Sequence, residues 1–392
     1  MSKGDCKITI NFETEKKEVE IEIKMTEPTS IPKEKIQHIT ENLLNFYKIK
    51  AYEVKIEDSG APEYAIASRV ESLVRKHLKT PSNTPYFEIP TDLNPPKRTP
   101  LLNTRRSLLY IPGSKPYMLG KSPTTDADCV IFDLEDSVSF SDKDVARIIV
   151  RNALRCLPFQ DDKNGKTLER IVRINPLPLG EMDLECLDFK YLHGVVIPKC
   201  ESEKDVLRVE ELISKSGVNQ VHLMPLIESA LGVENAFNIV NCSKNIVSVS
   251  MGLEDYTADM GMERSKTDQE SEWAMARVKN AAAAAGIQAI DTVYSNFRDN
   301  EGLKQAALKA KAFGYIGKRC IHPAQVPIVN SVFVPTEKEI ENAQKIVSAY
   351  NEAIQRGDGV VVVNDKMVDL PVVKRANRIL SLAKDVGLLE KK

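Results

Sequence analysis

After residue 105 the chain carries eight short, uninterrupted apolar runs, and no other feature restricts its fold so tightly. They span Leu108 to Pro112, Cys129 to Phe132, Ile171 to Ile174, Val195 to Pro198, Val221 to Ile227, Ile246 to Met251, Ala289 to Val293 and Tyr315 to Ile321. A run without alternation marks a strand buried on both faces, whereas a strand with one wet face alternates apolar and polar residues. Segments between the runs show helical periodicity, as in Lys204 to Ser214 and Glu272 to Ala285, so the strands are expected to be parallel and joined through helices. Eight such units suggest an α/β fold, a closed (β/α)8 TIM barrel over residues 105–335; a doubly wound open sheet is the competing arrangement.

The flanks have a different texture. Residues 6 to 24 alternate (Ile8, Ile10, Phe12, then Val19, Ile21, Ile23), which predicts a half-buried antiparallel hairpin. Helices near 33–48 and 62–78 and a strand from Tyr52 to Ile56 complete a small α+β domain over 1–80. Six prolines between 81 and 100 predict an extended Pro-rich linker over 81–104, and residues 336–392 read as an appended C-terminal segment with helices.

Composition narrows the function classes. Lys and Arg number 54 against 56 Asp and Glu, which leaves no positive excess for nucleic-acid phosphates. No apolar run approaches the ~20 residues of a membrane span and the N-terminus lacks an apolar signal core, so a cytoplasmic protein without a membrane partner is expected. The seven cysteines show no C-x-x-C pair and read as reduced core residues.

In a (β/α)8 barrel, catalytic groups sit at the C-terminal ends of the strands. Here those ends read Pro112-Gly113, Asp133-Leu-Glu135-Asp136, Arg173-Ile-Asn175, Pro198-Lys199, Glu228, Gly252-Leu-Glu254-Asp255, Asp291 and His322-Pro323. Any one could be a solvated loop charge or a helix cap; together they predict a site. Carboxylates converging on one mouth repel each other without a cation, and a carboxylate set without a His/Cys cluster favours Mg2+, or Mn2+, over zinc. Arg173 offers a planar fork for a substrate carboxylate. His322 is a ligand, an acid-base group, or a structural histidine bonded to backbone.

These residues also carry a family resemblance. Arg105-Arg-Ser-Leu-Leu-Tyr-Ile-Pro-Gly113, Val130-Ile-Phe-Asp-Leu-Glu-Asp-Ser-Val138, Val172-Arg-Ile-Asn175, Ile227-Glu-Ser-Ala-Leu-Gly232, Gly252-Leu-Glu-Asp-Tyr256, Glu263-Arg-Ser265, the stretch Ala285 to Ser295 and Asp365-Lys-Met-Val-Asp-Leu-Pro371 closely resemble the beta (lyase) subunit of citrate lyase, in the HpcH/HpaI aldolase/citrate lyase family. The resemblance implies a trimeric barrel that cleaves a citryl thioester into oxaloacetate and an acetyl thioester with Mg2+. It assigns the metal to Glu228 and Asp255, the oxaloacetate portion to Arg173, and supporting positions to Glu135 and Asp136. It also implies that the C-terminal segment is a lid on a neighbouring subunit, with Asp369 as acid-base group; Asp365 stands where the family usually has Gly. Substrate contacts are expected at Arg106, Gly113, Lys199, Asp291 and His322 as well. Tyr52 to Arg69 resembles the C-terminal half of the gamma (acyl carrier) subunit, so the chain reads as a carrier-to-lyase fusion. At the carrier's prosthetic serine, which bears phosphoribosyl dephospho-CoA, this chain aligns Lys3, with Ser2 displaced by one. Either Ser2 serves in shifted register or the module is a degenerate docking domain.

The expected function is therefore Mg2+-dependent cleavage of a citryl thioester, on CoA or on a carrier, alone or alongside citrate lyase alpha (transferase) and carrier subunits. The alternatives are a malyl-CoA or citramalyl-CoA type of lyase and a non-catalytic assembly subunit.

Overall fold

The computed structural model describes residues 3–12, 20–27, 31–50, 52–80, 85–159 and 167–390; Ser2 lies outside them. The N-terminal unit comprises β1 (Cys6–Asn11), β2 (Glu20–Met25), α1 (Lys33–Phe46), β3 (Glu53–Asp58) and α2 (Glu63–Leu78). Its sheet order is β1-β3-β2, with β3 antiparallel to β1 and parallel to β2. The expected hairpin of β1 and β2 does not form. Alternation reports which face is buried, not which strand lies alongside, and the more deeply buried β3 takes the centre with Val54 and Ile56 beneath the helices.

The eight apolar runs become eight parallel strands in a closed barrel. In order they are β4 (Ser107–Pro112), β5 (Cys129–Asp133), β6 (Glu169–Arg173), β7 (Gly194–Ile197), β8 (His222–Ile227), β9 (Ser248–Met251), β10 (Gln288–Asp291) and β11 (Gly317–Cys320). Around them lie α3 (Pro116–Gly120), α4 (Lys143–Cys156), α5 (Leu179–Cys186), α6 (Glu203–Ser214), α7 (Ala230–Glu234), α8 (Ala236–Asn241), α9 (Leu253–Asp259), α10 (Glu272–Ala285), α11 (Asn300–Phe313) and α12 (Gln325–Val332). Leu108, Ile131, Ile171, Val196, Met224 and Ile290 belong to one buried cluster that fills the barrel, so its interior is packed and its ends are the places left for chemistry.

The N-terminal unit is anchored to the barrel rather than tethered. Arg151 of α4 and Glu71 of α2 form a buried ion pair at 2.6 Å, Asn152 Nδ2 donates to Ser68 Oγ, and Tyr64 OH donates to the carbonyl of Pro116. The described part of the Pro-rich segment is also bound: Arg98 donates to the carbonyls of Leu192 and Phe189, and Thr99 donates to Glu169. Proline supplies an extended path here, and side chains fasten that path to the base of the barrel.

At the C-terminus, α13 (Glu337–Gln355) is followed by a hairpin of β12 (Val361–Val363) and β13 (Lys366–Val368), then by α14 (Leu370–Asp385) packed on α13. The hairpin is absent from the helical reading of this segment. Its two-residue turn, Asn364-Asp365, has both φ positive, at 51° and 58°. Asn and Asp tolerate that region better than other non-glycine residues, so Asp365 keeps a turn that Gly would also make. Among the described residues all seven cysteines are unpaired, and no helix is long and apolar enough to cross a membrane.

Candidate active site

The strand ends surround a cavity of about 420 Å3 at the C-terminal mouth, lined among others by Tyr110, Asp133, Asp136, Arg173, Glu228, Asp255 and Arg319. A larger cleft of about 720 Å3 lies between the N-terminal unit and α4–α5, but it contains none of the strand-end residues.

Arg173, the last residue of β6, organises one side of the mouth. Its Nε and Nη2 donate to both oxygens of Asp133 at 2.6 and 2.8 Å, and Nη1 lies 2.7 Å from Glu135 Oε2 and 3.4 Å from Asp136 Oδ2. The fork expected to clamp substrate is thus already filled by Asp133 of the adjacent strand. Burial alone would raise the Asp133 carboxyl, yet the bonds from Arg173 hold it below its ordinary value. Asp133 ends β5 beside Arg173 in register, a pairing that only the parallel neighbourhood of β5 and β6 creates.

Lys199 reaches in from the loop after β7, with Nζ 3.6 Å from Glu135 Oε1 and 3.8 Å from Asp255 Oδ1. Its backbone N–H donates to Glu228 Oε2 at 2.8 Å. Burial pushes the Glu228 carboxyl up to about 7, with the Lys199 N–H opposing that rise and Asp255 adding to it. Glu135 is pushed up to about 8, again chiefly by burial, against the attraction of Arg173 and with Asp136 and Glu228 adding repulsion. Neither oxygen of Glu135 receives a hydrogen bond of good geometry, despite the nearby cations. Gly252 is dictated by this packing: a Cβ there would stand 2.1 Å from Glu228 Oε1.

Two carboxylates held above their ordinary pKa by burial form a site that gains from a cation. Among the described residues, no group of three or more His, Cys, Asp or Glu side chains is arranged to hold a metal. Glu228 and Asp255, both on the cavity wall, suit an ion that takes one or two protein carboxylates and fills its remaining positions with water and substrate oxygens, which describes Mg2+.

Several expected contacts fall elsewhere. Arg106 precedes β4 at the opposite end of the barrel, where it grips Asp128 with two N–H bonds of 2.9 Å; a strand's first residue cannot reach its last residue's mouth. Gly113 abuts the chain rather than a ligand: its N–H donates to the Asp133 carbonyl, and a Cβ would approach that oxygen to 2.7 Å. Asp291 is committed to a buried ion pair with Lys318, and its neighbour Thr292 lines the cavity instead. His322 stacks on Phe297 and accepts a hydrogen bond from the Ala324 N–H, the structural option left open by the sequence. Asp369 caps α14 by accepting from the Val372 N–H and is absent from the walls of its own chain's mouth.

Two mouth residues, Tyr110 and Arg319, have no place in the sequence reading, and Asp133 stands there as a strand end without a role. Arg319 Nε donates to Ser250 Oγ at 2.9 Å and Nη1 donates to the Tyr110 hydroxyl. The available signal was a pair of positively charged residues inside a buried strand, Lys318-Arg319 of β11.

Residues 106–323 match the family model described as HpcH/HpaI aldolase/citrate lyase, and residues 1–77 match one described as the malonate decarboxylase delta subunit (MdcD). The citrate lyase subunit beta of Leuconostoc mesenteroides subsp. cremoris is 39% identical over 287 residues, covering 71% of this chain and 93% of that protein. The mitochondrial citramalyl-CoA lyase of Mus musculus is 32% identical over 301 residues, covering 72% of this chain and 87% of that protein. Among solved structures, protein CitE from Mycobacterium tuberculosis in complex with magnesium, acetoacetate and coenzyme A aligns with a TM-score of 0.58 at 28% identity, covering 71% of this chain and 98% of that one.

Proposed function

The chain belongs to the HpcH/HpaI aldolase/citrate lyase family and is a lyase, and from that premise we propose that it cleaves a citryl thioester into oxaloacetate and an acetyl thioester with Mg2+. The observation that carries this reading is the pairing of a buried, high-pKa Glu228 with Asp255 on the wall of a strongly charged mouth. Glu228 and Asp255 would hold the ion, which when bound supplies positive charge that orients the substrate hydroxyl and its neighbouring carboxylate and acidifies the hydroxyl.

This chain's own residues supply the rest. Asp133 fixes the Arg173 guanidinium, so the group stands rigid at the mouth beside Glu135 and Asp136. Lys199 is shared between Glu135 and Asp255 and tempers their repulsion. As the carbon–carbon bond breaks, the hydroxyl proton leaves, the carbon bearing it becomes a ketone, and the departing acetyl thioester must gain a proton on carbon. Asp369 of a neighbouring subunit is assigned that proton traffic. In support, no residue beyond Ile321 lines this chain's own cavity among the described residues. Val362, Met367 and Leu370 around Asp369 are exposed and apolar, and the far end of α14 lies beside Arg105 and Gln288 at the opposite end of the barrel. A trimer, or a multiple of it, would bring Asp369 of one copy over the mouth of the next. The anchored N-terminal unit supports a docking role, with the thioester arriving on CoA or on a separate carrier; a stoichiometric prosthetic mass on the native protein would overturn that part.

Assay of the purified chain with Mg2+ against citryl-CoA, citramalyl-CoA and malyl-CoA tests the proposal. Preferred cleavage of citryl-CoA is expected. Preference for citramalyl-CoA would favour the second reading, which the mitochondrial relative supports.

A further inference from the structure

The mouth contains two guanidinium groups with opposite surroundings. Arg173 faces three carboxylates, from Asp133, Glu135 and Asp136. Arg319 is in contact with none: among the described residues its hydrogen bonds go only to the neutral oxygens of Ser250 and Tyr110, Nη2 makes none, and the Glu228 carboxyl feels its charge only from beyond ion-pair distance. Arg319 is nevertheless 2% exposed, and it lines the cavity. A buried cation with no carboxylate in contact gains from an anion that joins it, so this group suits a negatively charged ligand. Its planar fork matches a carboxylate. Lys199, the other cation at the mouth, is already divided between Glu135 and Asp255.

We propose that Arg319 selects for acyl thioesters that carry a second, distal carboxylate. The inference rests on the reading of the chain as a lyase releasing a 2-oxoacid, and it says which 2-oxoacid. A citryl thioester has a carboxymethyl group where a citramalyl thioester has methyl, so its keto product, oxaloacetate, carries one more carboxylate than pyruvate. The carboxylate beside the hydroxyl belongs with the metal in either substrate. The distal one needs its own cation, and Arg173 is taken by Asp133. Arg319 extends from β11 with Nη2 unused, while the Ser250 and Tyr110 oxygens hold the rest of the fork in place. A methyl group against the same guanidinium would leave Nη2 without an acceptor, so the site disfavours the shorter acyl group as well as attracting the longer one.

The test is calorimetric titration of the full chain with oxaloacetate and with pyruvate in Mg2+, for the native protein, Arg319→Met and Arg319→Lys. The native protein is expected to bind oxaloacetate at least about tenfold more tightly than pyruvate. In Arg319→Met the ratio falls to about one. In Arg319→Lys, which keeps the charge but loses the fork, it is intermediate. Thermal melts identify a variant that fails to fold, and the lysine variant then carries the comparison. An undiminished preference in either folded variant, or no preference in the native protein, overturns the role of Arg319. Native preference lost in Arg319→Met, combined with no cleavage of citryl-CoA, leaves the role of Arg319 standing and overturns the citryl-thioester reading instead.

Discussion

Two ends of one barrel bury glutamates in opposite states. At the N-terminal end Glu169 is fully buried; that burial opposes its charge, but two hydrogen bonds from Arg105 and one from Thr99 carry its pKa down to about 2. At the C-terminal mouth Glu135 and Glu228 are also buried, yet they rise to about 8 and about 7. Burial is common to both ends, so burial does not decide the outcome. The number of well-aligned donors per carboxylate does. The base spends Arg105 on a single glutamate and backs it with Asn103, whereas the mouth shares Arg173 among three carboxylates. A closed, neutral network gives rigidity; an under-compensated one leaves room for an ion and a substrate.

The contrast can be broken most sharply by removing one carboxylate from the mouth. Glu228→Ala or Asp255→Ala should reduce Mg2+-dependent cleavage by about a thousandfold or more while leaving the thermal melt intact or raised. Full turnover by either variant in steady-state assays would remove the metal assignment.

Arg105→Ala should do the reverse. It strands Glu169 without its partner and should destabilise the fold by about 3–5 kcal/mol in denaturant titration, with turnover per folded molecule preserved. Equal damage to activity would mean that the two ends are coupled.

Arg173→Lys tests whether the mouth depends on fork geometry or on charge alone. Lysine cannot reproduce the two parallel N–H bonds from Nε and Nη2 to Asp133, so kcat/KM should fall roughly tenfold. An unchanged value would make the Asp133 pairing incidental.

The smallest effect is in pH, and its sign differs between the ends. Glu169 has a depressed folded pKa, so its stabilisation is present above the ordinary glutamate range and is lost as pH falls towards about 2. Glu135 and Glu228 have raised folded pKa values, so without divalent ion their relative stabilisation is present at low pH and is lost as pH rises through about 7 to 8. Scanning calorimetry in chelator should show the melting temperature declining from pH 5 to pH 9, and Mg2+ should restore more of it at pH 8 than at pH 5. A flat profile in chelator would mean that the mouth carboxylates are compensated after all.

Much of this molecule is local in origin. Continuous apolar runs specify strands wet on neither face, and eight of them separated by helices leave few closed solutions, so the barrel and the mouth that collects Glu228, Asp255, Asp136 and Arg173 follow from the amino-acid order. Pairing between distant segments does not. Arg105 and Arg106 are adjacent, yet one closes the base network with Glu169 and the other holds Asp128; Lys318 and Arg319 are adjacent, yet one pairs with Asp291 and the other lines the cavity. Successive residues of a strand point to opposite faces, so a one-residue difference in register exchanges their roles. The order β1-β3-β2 was hidden for a related reason, since alternation names a face and not a neighbour. Charge states belong to the same class: whether a carboxylate sits near 2 or near 8 depends on how many donors converge on it from segments far apart in sequence, such as Arg105 and Thr99 on Glu169, and that convergence exists only once the barrel has closed.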